Sequence, residues 1–386
     1  MQKKNLKKII MIRPFTANIS EEILDDLKRR IENTRWPDEI TNSNWIYGTN
    51  LSFMKELSNY WLHEFNWRKM EAEINSFPNF IATIDGYDIH FIHVKGKGKI
   101  NIPLIITHGW PGSFIEMLKL IPRLANEEEI SFDIVIPSII GFGYSGKSQV
   151  EGCNSEFVAH LWHKLMLELG YYKYGAQGGD IGSGVSSWLA LKYPLNLIGL
   201  HLNYIPGSYK PFLKEGEQLT DEVVAFQKYA LDWASKEAAY SYIQSTKPIT
   251  LAFGLNDSPV GLCAWIIEKF NSWTDNKGDL NSIFAKDELL ANVTLYWITQ
   301  TIHSSIRMYN ENSKHPLQLA ENEYIEIPVA FIKFPKEIPT PPRSYIEEGF
   351  NITRWTEMPA GGHFAAMEQP DLLAEDIKEF FKELSS

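Results

Sequence analysis

Cysteine is scarce: Cys153 and Cys263 are the only two in 386 residues. A disulfide framework is therefore not expected, and the composition points to a reducing, cytoplasmic setting. Basic character is missing too. The formal charge is −11 with no basic stripe to offset it, which argues against a nucleic-acid partner. No apolar run reaches the roughly 18 residues needed to cross a bilayer, so no membrane span is expected. Lys3, Lys4, Lys7 and Lys8 precede a small Ile9-Ile10-Met11-Ile12 cluster, shorter than a signal-peptide core of roughly 7–15 residues. A solvated start leading into a short first strand is the expectation. The sequence also lacks internal repeats and low-complexity segments.

What is abundant is apolar and aromatic. A hydrophobic share of 44% and an aromatic share of 13% suit a globular protein with a sizeable core, and twelve tryptophans also suit a deep apolar pocket. The length allows one large catalytic domain with an inserted lobe, or two modest domains.

Between residues 20 and 35, Ile23, Leu27 and Ile31 recur every four positions among charged residues. This predicts an amphipathic helix with Ser20 as N-cap and Glu21 and Glu22 at its positive end, stopped by Trp36-Pro37. A second helix is expected over 51–75. Residues 1–79 thus read as a helical leader packed on the main body. Strands are expected at 80–84 and 89–94, joined by an Asp85-Gly86 hairpin turn. The apolar runs 103–107 and 133–137 predict strands covered on both faces, with a helix at 114–124 between them. A helix at 157–169, a strand at 172–177, a helix at 183–193 and a strand at 198–203 follow. Such alternation specifies a mostly parallel sheet with helices on both faces. Residues 204–325 interrupt it with a helical stretch rich in aromatics, among them Trp233, Tyr240, Trp265, Phe270, Trp273, Tyr296 and Trp297. Strands at 327–333 and 352–357 and a last helix at 371–384 resume the series. The organisation expected is a leader (1–79), a first core part (80–203), a helical cap (204–325) and a second core part (326–386).

Gly178-Gly179-Asp180-Ile181-Gly182 falls between a strand and a helix. A nucleophile elbow needs small residues two positions either side of its central residue, because the strand turns sharply into the helix. A carboxylate there can attack an electrophilic carbon without a base first removing a proton. His108-Gly109-Trp110-Pro111-Gly112 follows the strand ending at Thr107, where hydrolases of this architecture take one oxyanion donor from the backbone. The donors would be the N–H groups of Trp110 and Ile181. The Trp110–Pro111 bond sits where a cis peptide is common. Gly361-Gly362-His363-Phe364 follows the last strand and offers a base, His363, in the chain order nucleophile, acid, His. The acid should follow the preceding strand. Glu337 is the candidate, with Glu347 and Glu348 as alternatives deeper in the loop. His160 and His163 share a helical face but lack a third ligand in sequence, so no metal site is expected.

These motifs predict an α/β-hydrolase fold. Together with Arg13-Pro14-Phe15, the leader, Ser113 and Ala365-Ala366, they resemble the microsomal epoxide hydrolase family, which includes juvenile-hormone epoxide hydrolases and soluble microbial relatives. The resemblance covers essentially the whole chain apart from the membrane anchor of microsomal members, for which no equivalent is expected. It implies an Asp nucleophile, a His with a Glu or Asp partner, and two cap tyrosines. Tyr240-Ser241-Tyr242-Ile243-Gln244 places one at Tyr240, and Ser304-Ser305-Ile306-Arg307-Met308-Tyr309 places the other at Tyr309. Tyr242 would face elsewhere on its helix. Many relatives carry Trp directly after the nucleophile, whereas this chain has Ile181, so substrate preference is implied less firmly than reaction type.

The implied reaction opens an apolar epoxide through an alkyl ester on Asp180, which water activated by His363 and Glu337 then hydrolyses to a vicinal diol. No cofactor is implied, and a homodimer is compatible. Two rivals use the same residues differently: a haloalkane or haloacid dehalogenase, and a noncatalytic small-molecule-binding protein of hydrolase shape.

Overall fold

The computed structural model describes residues 11–214, 216 and 218–385; the lysine-rich start expected to be solvated lies outside them. Among the described residues the nine strands are β1 (Met11–Phe15), β2 (Asn79–Ile84), β3 (Tyr87–Val94), β4 (Ile100–Thr107), β5 (Ile130–Pro137), β6 (Tyr174–Gly178), β7 (Leu197–Leu202), β8 (Ile325–Lys333) and β9 (Phe350–Glu357). They form one sheet in the order β1-β2-β3-β5-β4-β6-β7-β8-β9. From β5 to β9 every pairing is parallel, while β1, β2 and β3 join antiparallel at one edge.

The helices before β4 are α1 (Glu21–Glu32), α2 (Leu51–His63) and α3 (Trp67–Asn75). Those between the core strands are α4 (Leu120–Ala125), α5 (Ser155–Glu168) and α6 (Asp180–Lys192). Six lie between β7 and β8: α7 (Asp221–Glu237), α8 (Ala239–Thr246), α9 (Pro248–Leu255), α10 (Pro259–Ser272), α11 (Lys286–Ile298) and α12 (Ile302–Lys314). The series closes with α13 (Arg343–Glu347), α14 (Ala365–Glu368) and α15 (Pro370–Glu383).

The central strands are apolar on both faces because helices cover both. Leu104, Ile105 and Ile106 of β4 and Ile134, Val135 and Ile136 of β5 are fully buried. Both strands begin three residues before their apolar runs, since Ile100 pairs with Ile130 in a stretch that is partly solvated. The β2–β3 hairpin turns through Asp85 and Gly86, both at positive φ (51° and 91°), as a primed two-residue turn requires.

Three helical expectations need correction. In α1 the buried stripe is Leu24, Leu27 and Ile31, while Ile23 is exposed; spacings of three and four follow the helix period better than fours alone. The single helix expected over 51–75 is two helices, because Asn66 leaves the helix to cap α3, accepting from Arg68 N at 2.9 Å. The helix expected over 114–124 is a 3₁₀ turn at Phe114–Met117 followed by α4.

The leader reaches the rest of the protein in two ways. Strand β1 extends the sheet, but helices α1 to α3 pack on α10 and α11 of the segment between β7 and β8. Trp61 Nε1 donates to Thr294 Oγ1 at 2.9 Å and Tyr60 donates to Asp287 at 3.0 Å across this contact.

On the far side of the sheet, Asp376 of α15 is buried and accepts from His201 Nε2 (3.0 Å), Thr356 Oγ1 (2.7 Å) and Arg354 Nε (2.9 Å). Burial works against its charge, yet these donors hold the carboxyl down at about 2. A depressed carboxylate stabilises the fold above its unfolded pKa and loses that contribution as pH falls through the folded value. The shift corresponds to about 2 kcal/mol. We therefore expect urea unfolding to show that loss between pH ~4 and ~2, and Asp376→Ala to cost ~2–3 kcal/mol at pH 7 by leaving the buried His201 without its acceptor.

Candidate active site

Strand β6 ends at Gly178 and α6 begins at Asp180, so the chain reverses within Gly179. Asp180 sits at φ 48°, a left-handed conformation that costs an L-residue energy and survives only where the surroundings enforce it. They do. A Cβ on Gly182 would lie 2.0 Å from the carbonyl oxygen of Thr107, the last residue of β4, so only glycine lets the elbow close on the sheet. The result points the Asp180 carboxylate out of the sheet at the N-terminus of α6, where unpaired N–H groups favour an anion.

The loop after β4 meets it there. Trp110 N donates to Asp180 Oδ1 at 2.7 Å, and the Trp110–Pro111 peptide is cis, as its place in the turn suggested. Ile181 N lies in the first turn of α6, where an amide has no intrahelical acceptor. One backbone donor, Trp110 N, thus meets a carboxylate oxygen. His108 of the same motif serves the loop's structure. Its Nε2 accepts from Ile139 N at 3.1 Å, and burial pushes the ring down to about 4, keeping it neutral.

Glu337 and His363 come from the loops after β8 and β9. These loops are tied by a bridge between Lys336 and Gly362, with Lys336 N donating to Gly361 O at 3.0 Å. The bridge puts Glu337 directly beside His363, and Nδ1 meets Glu337 Oε1 at 2.5 Å. The other ring nitrogen, Nε2, lies 3.4 Å from Asp180 Oδ2. Both side chains are almost fully buried. Burial pulls the His363 pKa down, but the Glu337 charge and the hydrogen bonds that the ring donates to Asp180 and Glu337 outweigh it and hold the imidazole well above its ordinary value. Glu347 and Glu348 stay exposed, Glu347 paired with Arg343 at 2.6 Å.

Tyr240 of α8 and Tyr309 of α12 close the opposite side. Their rings meet edge to face at 5.8 Å, and each packs on Trp110, Tyr240 stacked at 5.4 Å and Tyr309 edge-on at 5.6 Å. Burial and then the Asp180 charge push the Tyr240 phenol up; burial, Tyr240 and Asp180 do the same to Tyr309. Both therefore stay protonated as donors. Both border, with Asp180, a cavity of about 590 Å³, within the range of small-molecule sites. Tyr242 is largely exposed.

The comparisons agree with this geometry. Residues 12–117 match the family described as epoxide hydrolase N terminus, and residues 102–370 match the alpha/beta hydrolase fold. The chain is 38% identical to epoxide hydrolase 1 of Oryctolagus cuniculus, over 96% of this chain and 88% of that one. The chain belongs to the epoxide hydrolase family. Solved structures of two epoxide hydrolases superpose over nearly the whole fold. The juvenile hormone epoxide hydrolase of Bombyx mori aligns with a TM-score of 0.85 at 30% identity, covering 97% of this chain and 94% of that one. The epoxide hydrolase of Aspergillus niger gives 0.85 and 30%, covering 97% of each.

Beyond the residues expected, this epoxide hydrolase fold brings others to the site. Tyr204, just after β7, sets its ring edge against His363 at 5.8 Å and lines the large cavity. Trp273 packs on His363 at 5.1 Å, and its carbonyl accepts from His363 N at 2.9 Å. Glu116, Gln177 and Asn203 line a small chamber together with Asp180, Trp110 and His363. Only position could have flagged Tyr204 and Asn203, since each follows the end of a central strand.

Ile181 lines the large cavity next to Asp180. An Ile181→Trp substitution narrows it, so we expect KM for bulky epoxides to rise about tenfold while small aliphatic epoxides change little. Steady-state kinetics on a size series would check this.

Proposed function

We propose that this chain hydrolyses an apolar epoxide to a vicinal diol in two steps. Asp180 Oδ2 attacks a ring carbon, the C–O bond breaks, and its electron pair goes to the ring oxygen. Tyr240 and Tyr309 hydrogen-bond that oxygen and supply its proton. The Asp180 charge disappears as the ester forms. With it goes part of what holds the proton on His363, so the imidazolium proton makes good the loss from the phenols. Neutral His363, steadied by Glu337, then takes a proton from water as the water oxygen attacks Asp180 Cγ. The N–H groups of Trp110 and Ile181 stabilise the oxyanion. Collapse breaks the ester C–O bond, the departing alkoxide takes the proton of the newly formed acid hydroxyl and leaves as the diol, and the carboxylate and the imidazolium are restored. Free Cys153 and Cys263 suit a reducing cytoplasm as the place of action.

The observation that carries this reading is the division of labour around one carboxylate. Asp180 Oδ1 sits on the Trp110 amide, Oδ2 faces His363, and two protonated phenols share its cavity. A dehalogenase needs donors for a halide, typically Trp or Asn, instead of paired phenols. The test is a panel of styrene oxide and terminal and internal aliphatic epoxides assayed for diol, beside haloalkanes and fluoroacetate assayed for halide. Diol formation supports the proposal. Halide release without diol, or tight binding without turnover, overturns it. Tyr240→Phe and Tyr309→Phe should each lower kcat by about 10- to 100-fold, and the double variant by more than either.

A further inference from the structure

Asp180 borders two spaces. One is the 590 Å³ cavity that also holds the tyrosines; the other is a chamber of about 20 Å³ lined by Trp110, Glu116, Gln177, Asn203 and His363 among others. Among the described residues, Asp180 is the one member common to both linings. A volume of that size holds one water molecule, which needs about two to four polar partners to be stable there.

Those partners are present. Gln177 Oε1 is buried with no hydrogen-bond partner among the described residues, while its amide nitrogen is committed to Asn203 Oδ1 at 2.9 Å. Glu116 is buried, and one carboxyl oxygen, Oε1, accepts from Ser113 N at 2.8 Å. Its carboxyl occupies the space over Gly112, where an added Cβ would come 1.2 Å from Oε1. The backbone thus makes room for an acid at this place. Burial pushes that acid up to about 8, so at neutral pH it carries a proton to donate. His363 supplies the acceptor.

We infer that Glu116, with Gln177, holds the attacking water in this chamber, on the side of Asp180 away from the substrate cavity. This rests on the covalent reading above and adds where the second step draws its nucleophile. Glu116 donates to the water and Gln177 Oε1 accepts from it. The remaining O–H points to His363 Nε2, which takes that proton as the oxygen bonds to Asp180 Cγ. Epoxide and water then approach one carboxylate from separate compartments and do not compete for space. Glu116 also completes a capping box with Ser113, so its loss alone could act through folding, and the test must separate the two steps.

Single-turnover rapid quench with styrene oxide, read by intact-protein mass spectrometry, follows ester formation and decay independently. For Glu116→Ala we expect ester formation within about twofold of the unsubstituted protein and decay slowed by about 10- to 100-fold. Glu116→Gln keeps both the cap and a donor and should recover most of the decay rate. Gly112→Ala, which displaces the carboxyl while leaving Glu116 in place, should slow decay selectively and serves if Glu116→Ala does not fold. Unchanged decay in the soluble variants, or equal slowing of both steps, overturns the inference. Absence of any ester in the unsubstituted protein would instead overturn the covalent reading itself.

Discussion

Asp180→Asn is expected to lower kcat for diol formation by about 10⁴-fold or more, with no covalent adduct detectable by mass spectrometry. An amide is a poor nucleophile, and Asp180 is the carboxylate that meets both Trp110 N and His363. The variant should still fold, because Asn tolerates φ near +48° better than almost any other L-residue. Its amide oxygen can keep the Trp110 hydrogen bond. Retained activity would sink the covalent scheme, provided peptide mapping verifies that residue 180 has not deamidated. The charge lost in this variant is also one of those holding the proton on His363. NMR titration should therefore find the His363 pKa lower in Asp180→Asn than in the unsubstituted protein.

The second large effect falls on the other step. His363→Gln should alkylate and then stall, accumulating one substrate mass per chain while ester decay slows by about 10³-fold. Substrate consumption with no adduct would count against it. The pH dependence of the unsubstituted protein has a worked sign. His363 is held protonated by Glu337 and Asp180, so ester formation, which starts from the imidazolium, persists below the raised pKa and weakens as pH rises through it. Ester decay needs the neutral ring, so it strengthens with pH. That pKa should be lower in the ester, where Asp180 carries no charge.

The sequence carried some of this more plainly than the rest, for physical reasons. Asp180 was legible because an elbow restricts its neighbours: Gly178 and Gly182 leave a signature within five residues. Trp110 was legible for a similar cause, as a turn fixed to the end of β4. Glu337 was harder, since an acid in a loop has no local mark. What singles it out is the bridge from Lys336 to Gly362, a contact between distant segments. Tyr240 and Tyr309 rested on family likeness, because helical periodicity reports that a ring is buried and not what it faces. Glu116, Tyr204 and Gln177 escaped altogether; each gains its place only when separate loops converge. The amphipathic stripe of α1 likewise announced a packed helix without naming its partner, which is α10 and α11 rather than the sheet.

That packing divides the six helices between β7 and β8 into unequal halves. The leader braces α10 and α11, and α11 in turn grips the loop beside Asp180: Asn292 donates to Pro111 O and Tyr296 to Gly112 O, both at 2.7 Å. Helix α7 is the opposite case, seventeen residues long with Val223 its one buried residue. Mechanically, the segment pairs a braced wall with a helix that puts one residue into the core. Lifting the wall breaks its ties to the loop after β4, whereas α7 gives up only Val223 from the core.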